Sequence, residues 1–413
     1  MNYKKFLGAV SAALMIVIVI TLILVSGAWA ASNFKTLHGF TGGKDGRDPS
    51  GALIFDQAGN LYSTTQGGGS GSGTIFELTP NQDGSWTETV LYSFTGGEDG
   101  ARPFTSLIFD SAGNLYGTTY GGGKDGAGTI FELSPNQDGS WTETVLHSFN
   151  RADGGGPTAG LVFDSEGNLY GPTTQGGEQG AGTIFQLTPN SNGSWTESVI
   201  HSFNGKDGSY PDHGGLIFDA DGNLYGTANA GGADGYGVVF KLTPNANGTW
   251  TEAVLHNFTG ANDGGGPEST LIFDKSGNLY GTTRDGGAHR VGVAFELTPK
   301  TGGTWTETVL HQFTGGKDGA APYEGVIFDQ AGNLYGTAEK GGNLSACGSQ
   351  GCGVVFKLAP NSKGGWSETV LHAFADHPGA FPNGALIFDV SGNLYGTTEG
   401  IFYRFGSVFE ITP

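Results

Sequence analysis

One stretch of this chain recurs seven times, and that recurrence limits what the chain can fold into. One copy, Leu107 to Thr119, reads L-I-F-D-S-A-G-N-L-Y-G-T-T. The aspartates of the copies are Asp56, Asp110, Asp164, Asp219, Asp274, Asp329 and Asp389, at steps of 54, 54, 55, 55, 55 and 60 residues. A period of this length belongs to solenoids, propellers and arrays, whose units cannot bury a hydrophobic face alone and share it with their neighbours. The repeat therefore accounts for 413 residues without several separate cores.

Each unit contains four strand-like runs. L-I-F-D meets N-L-Y-G-T-T through D-x-x-G, where Asp opens a type I turn and Gly supplies the left-handed residue that closes it. The third run, such as Gly128 to Pro135, alternates apolar and polar residues and ends at Pro. The fourth, such as Trp141 to Phe149, comes after a turn at Asn136 to Gly139. No helical period of useful length occurs. Four antiparallel strands in each of seven units predict an all-β, seven-bladed β-propeller. The last unit stops at Pro413 after its third run, and Asn33 to Phe40 matches the missing fourth. The N-terminal strand is thus expected to complete the last blade and close the ring, leaving no end blade unpaired.

Residues 1–30 stand apart. Lys4 and Lys5 precede an apolar run, Phe6 to Val25, followed by Ala28-Trp29-Ala30. Basic, apolar and small-residue segments in that order are expected to be a signal peptide; an uncleaved N-terminal anchor is the alternative, and only then would the protein meet a membrane. Residues 31–413 form the propeller, expected to be secreted, at the cell surface or periplasmic. The formal charge of −20 becomes −22 without Lys4 and Lys5, which argues against nucleic acid as a partner. The two cysteines, Cys347 and Cys352, fall in the unit with the 60-residue step. In an exported chain they are expected to form a disulfide that pins an inserted loop. No further ligands stand close enough to suggest metal, and no cofactor is expected.

The unit G-T-I-F-E-L-T-P…L-H-S-F-x-x-x-D-G-x-x-P…L-I-F-D-x-x-G-N-L-Y-G-T-T-x-G-G resembles the GloVer tandem repeat of choice-of-anchor proteins, over about residues 33–413. The resemblance implies export and a bacterial surface or secreted setting, and implies no known activity. This chain lacks the C-terminal sorting segment of such proteins. The shorter D-x-x-G-N-L-Y-G-T is also similar to sensor-kinase and streptogramin-lyase-type propeller repeats.

Polar residues divide into repeated and unrepeated. His38, His147, His201, His256, His311 and His372 hold one place in the fourth run, with Tyr92 in the remaining copy. A residue repeated around a ring specifies the blade rather than one active site. D-G-x-x-P occurs six times, at Asp45, Asp99, Asp153, Asp207, Asp263 and Asp318, and each Asp is expected to cap its own turn. The unrepeated residues come after the loop proline and after the second strand, in loops expected to share one face around the channel mouth. Candidate ligand-binding residues there are Phe104, Asp212, His213, Glu268, Arg284, His289, Tyr323, Glu324, Tyr403 and Arg404. Aromatic, basic and acidic groups on loops held by a rigid scaffold suit a polar ligand. The leading expectation is a monomeric binding or surface-interaction module, its partner a glycan, a peptide or another secreted or surface protein. The alternative is a lyase or hydrolase acting on a carbohydrate or cyclic peptide, with His213 or His289 as base. No G-x-S-x-G, H-E-x-x-H or phosphate loop is present to support an enzyme.

Overall fold

A computed structural model describes residues 32–375, 379–400 and 405–413. The proposed signal segment, His377, Tyr403 and Arg404 lie outside the described residues. Seven antiparallel sheets form the blades, numbered here from the one that begins at Ile54. Blade 2 shows the plan, running Ile108–Phe109, Leu115–Thr119, Thr129–Pro135 and Trp141–Ser148 from one edge of the sheet to the other. Blade 7 takes its outer strand from the other end of the chain. Asn33–Gly39 pairs antiparallel with Ser407–Thr412, Asn33 opposite Thr412 and Gly39 opposite Ser407. Among the described residues the one helical element is a 3-10 turn, Cys347–Ser349.

The turns form as their residues dictate. Asp110 Oδ1 accepts hydrogen bonds from the backbone N–H groups of Ala112 and Asn114 at 2.8 and 2.9 Å, and Gly113 takes a φ of +89°. Asp219 does the same work for Asp221 and Asn223. Gly117 is required for a different reason. A Cβ there would lie 2.7 Å from the Phe131 ring and 2.9 Å from Leu107.

The core lies between blades rather than within them. Tyr116, Ile130 and Phe149 of blade 2 pack with Leu161, Leu169, Phe185 and Leu187 of blade 3. The same residue types fill the seam between blades 7 and 1, where Leu37, Tyr395 and Val408 meet Leu53, Leu61, Phe76 and Leu78. Closing the ring therefore buries a seam that an open array would expose.

The fourth strand contains a bulge that its alternating pattern conceals. Val145 pairs with Phe131 and His147 with Ile130, so Leu146 is an extra residue. A bulge re-aims the side chains beyond it. Glu143 and His147, four residues apart, consequently face opposite sides of the sheet, and the register shift recurs in every blade. The expected disulfide is present, with Cα atoms 5.4 Å apart. Cys347 and Cys352 pack into the seam between blades 6 and 7, beside Phe374 and Ala380.

Candidate functional site

The connection leaving the fourth strand and the connection leaving the second lie on one face, as the strand order requires. Gly155 bridges Gln175, and the Thr174 N–H donates to the Gly156 carbonyl at 3.3 Å. That register aligns Thr174, not Gln175, with Tyr120, Asn229 and Arg284 of the other blades. Residues between the loop proline and the first strand line the central channel itself. All seven blades contribute to a cavity of about 160 Å³, whose wall includes Ser50, Phe104, Thr158, His213, Thr270 and Glu324. Two larger hollows, about 920 and 520 Å³, sit between neighbouring blades on the opposite face. Both are lined by equivalent Phe, Asp, Tyr, Pro and Trp residues of the repeat, which marks them as seams of the framework.

Blade 4 breaks the pattern at the channel. Six copies place three residues between the loop proline and the Leu or Val that opens the first strand; Pro211 and Leu216 enclose four. The extra residue makes room for His213. The Gly214 N–H donates to the Asp212 carbonyl at 2.6 Å, closing a three-residue turn with His213 at φ +57°. Such a turn is rare, and a non-glycine residue in it is strained by about 1–3 kcal/mol. Four contacts hold the side chains in place. Thr158 Oγ1 donates to Asp212 Oδ1 at 2.6 Å, and the His213 backbone N–H donates to Thr158 Oγ1 at 3.3 Å. His213 Nε2 lies 3.4 Å from Asp212 Oδ1, and its ring meets the Tyr323 ring edge-on at 4.9 Å.

The network continues through blades 5 and 6. Arg284 Nη1 lies 3.0 Å from Glu268 Oε1, and the Arg284 guanidinium sits 5.6 Å from the centre of the Tyr323 ring. Asn229 Nδ2 also donates to Glu268 Oε1. The Glu268 side chain is 1% exposed, and its Oε2 has no hydrogen-bond partner among the described residues. Burial pushes Glu268 up to about 7, against the pull of Arg284. Burial and the charge of Glu268 push Glu324 up to about 8. Burial holds the His213 imidazole below its ordinary value, against the pull of Asp212. Arg284 pairs with Glu268 and Asp285, while Asp212 and Glu324 sit close enough to Glu268 to raise it or be raised by it, so acids outnumber the one guanidinium at a narrow opening.

Across the channel, blade 2 presents an aromatic wall. The Phe104 and Tyr120 rings meet edge-on at 5.5 Å, and Arg102 lies about 5 Å from each centroid. His289 does not join the site. It lies exposed in the loop after the second strand of blade 5, with no ion pair or hydrogen bond among the described residues. The alternative that made His289 a base at the channel is corrected accordingly, because the loop carries it outward. Thr158 and Asn229 stand at positions where the copies differ but are not among the candidate residues, and Asp285 is a member of the network with no signal in the sequence. A second signal, the extra residue after Pro211, is present in the sequence beside the divergence of the copies.

The repeated polar residues occupy the rim. Each loop aspartate caps its own turn, as expected. Asp45 Oδ2 accepts from the Thr41 N–H at 2.7 Å, and Asp153 Oδ1 from the Asn150 N–H at 3.0 Å. The aspartates also face the fourth-strand side chains, with His147 Nε2 3.2 Å from Asp153 Oδ2 and Tyr92 Oη 3.3 Å from Asp99 Oδ2.

Fold and site together define a closed seven-bladed propeller with one elaborated channel opening. Within that class the chain belongs to the Gloeobacter/Verrucomicrobia repeat family, whose model matches residues 24–217 and again residues 212–413. No curated protein sequence matches the chain. Among solved structures, an ancestral GH74 enzyme is similar at 11% identity and a TM-score of 0.57, over 89% of this chain and 48% of that one. A putative oxidoreductase of Thermus thermophilus, described as a glucose dehydrogenase, shares 15% identity at a TM-score of 0.44, over 92% and 100%. At such identities the likeness shows the fold alone.

Proposed function

We propose that this protein is an exported binding module that takes a peptide-type ligand at the channel opening, a basic side chain or amine of the ligand entering beside Asp212, Glu268 and Glu324. The observation that carries the proposal is the His213 insertion. Along the channel wall only blade 4 has accepted an extra residue, with His213 in a left-handed conformation, and that place faces the buried acids Glu268 and Glu324; the other insertion, in blade 6, forms the disulfide loop. Strain of this kind persists where surrounding structure enforces it, and it clusters at binding and catalytic sites. Size and charge narrow the ligand. A cavity of about 160 Å³ suits a side-chain tip or another small group better than a long oligomer. The acid excess favours a cationic tip, and the aromatic pair at Phe104 and Tyr120 with Arg102 gives the rest of a ligand an apolar and a basic contact. Export is supported by the sequence of the first 30 residues and by the disulfide. Among the described residues no helix is long and apolar enough to cross a membrane.

The test is calorimetric titration with short peptides ending in Lys or Arg, with matched neutral peptides and with neutral oligosaccharides. Binding of the basic peptides alone, weakened by Glu268→Gln, is the expected result. Binding of the oligosaccharides alone, or binding indifferent to Glu268→Gln, would remove this reading.

The second reading is a lyase or hydrolase, and the Asp212–His213 pair favours it. A neutral imidazole oriented by a carboxylate is suited to act as a general base, and a carboxyl held near 7 or 8 to act as its acid partner. Turnover of a bound peptide that disappears in His213→Ala, while binding survives, would select this reading over the first.

A further inference from the structure

Each seam brings together side chains from two blades. Because of the bulge, the imidazole of one fourth strand faces the glutamate of the next. In the seam between blades 2 and 3, the ligating atoms of His147, Asp153 and Glu197 all lie within 4.8 Å of one another. Glu197 Oε1 is a buried atom with no hydrogen-bond partner among the described residues, and the buried His147 Nε2 makes no well-aligned hydrogen bond although it lies 3.2 Å from Asp153 Oδ2. Buried polar atoms are nearly always satisfied, so two orphans converging on one spot mark a place for something that answers both. Two carboxyl groups face this spot and no Lys or Arg pairs with either among the described residues. The same orphaned nitrogen and oxygen recur in the seams of His38, His201, His256 and His311, although there the three ligands are spread more widely.

The seam between blades 6 and 7 supplies an internal control. The register places Phe34 where the other seams have Glu, and the sequence there has Pro378-Gly379 in place of Asp-Gly. Both acids are gone together. His372 instead stacks face to face on Phe34, ring centroids 4.0 Å apart and 8° from parallel. The two acids go together in this seam, while the histidine stays and turns to ring stacking; in the seam between blades 1 and 2 it is the histidine that is replaced, by Tyr92, with Asp99 and Glu143 kept. The full set of one imidazole and two carboxylates is thus present in five of the seven seams.

We propose that the seam formed by His147, Asp153 and Glu197 binds a divalent transition cation of zinc's kind, which clips blade 2 to blade 3. One imidazole nitrogen and two carboxylate oxygens are donors that such ions accept, and a charge of +2 neutralises the two carboxylates. His147 stays neutral and coordinates through Nε2, and Asp153 coordinates while still capping its turn. This assignment departs from the expectation that these histidines serve the blade framework alone.

The test is native mass spectrometry of the chelator-treated chain titrated with micromolar Zn²⁺, for wild type, Glu197→Gln and His147→Phe. The glutamine keeps the shape of the side chain and removes one charged donor. Wild type is expected to hold bound zinc, and each variant one ion fewer. X-ray absorption of the loaded chain is expected to show one imidazole nitrogen among oxygens at about 2.0–2.2 Å. No bound zinc in wild type, or an equal count in wild type and Glu197→Gln, would overturn the proposal and leave a bridging water or proton between the orphaned atoms.

Discussion

At the rim, six of the seven connecting loops place an aspartate at one position, and each makes the same two-pronged cap. At the channel wall, the residue after the loop proline is Ser50, Phe104, Thr158, Asp212, Glu268, Tyr323 and Asn383 in turn. The same strand order delivers both regions, so geometry alone does not explain the contrast. The rim residues answer a local need that every blade has. The channel residues meet one another across the ring axis, where seven equivalent positions look onto one small space. A repeated side chain there would crowd like charges or leave like donors unpaired, so a specific site at the axis requires the copies to diverge.

The largest effect should come from breaking the ring. Deleting residues 33–40 removes the outer strand of blade 7 together with buried Leu37 and Phe40. Losing either side chain alone costs about 2–5 kcal/mol, so the deletion is expected to unfold a chain of ordinary stability. Far-ultraviolet circular dichroism melts check this, and unchanged melting would contradict closure. A repeated core residue comes next. Phe185 is fully buried, and Phe185→Ala is expected to cost about 3–5 kcal/mol in denaturant titrations while leaving peptide affinity per folded molecule unchanged. Glu268→Gln should reverse that pattern, lowering affinity for a basic peptide about tenfold or more, since a charge-assisted bond to a buried partner is worth about 1.5–3 kcal/mol.

The smallest of these effects is a pH dependence. Glu268 and Glu324 hold their protons up to about 7 and about 8, and a cationic ligand is held best once they are released. Peptide affinity is therefore expected to rise from about pH 6 to about pH 9 and then level, by calorimetry at constant ionic strength. Affinity that fell over this range would mean that the protonated forms bind.

The sequence revealed what the repeat had to do seven times. Alternation in Thr129–Pro135, the D-x-x-G turn and the stray strand at Asn33 each state a local rule, and together they define the closed ring. The bulge at Leu146 escaped notice because V-L-H continues the alternation on paper, and only pairing with Ile130 shows the slip. The site was legible in part. Asp212, His213, Glu268, Arg284, Tyr323 and Glu324 stood out by differing from the other copies, and the structure brings them together. Differing is not the same as converging, however. His289 differs too, yet its loop carries it outward. Thr158 and Asn229 belong to the network but look like ordinary loop residues, because their importance lies in partners 54 and 39 residues away.

The account is tested most directly by deleting His213, which restores to blade 4 the three-residue spacing of the other six. Melting temperature and affinity for a Lys- or Arg-terminated peptide would be measured on the same sample. The account predicts melting unchanged or slightly raised, because a strained turn is relieved, together with loss of peptide binding. Retained binding in the deletion variant would contradict the claim that function resides where the repeat is broken.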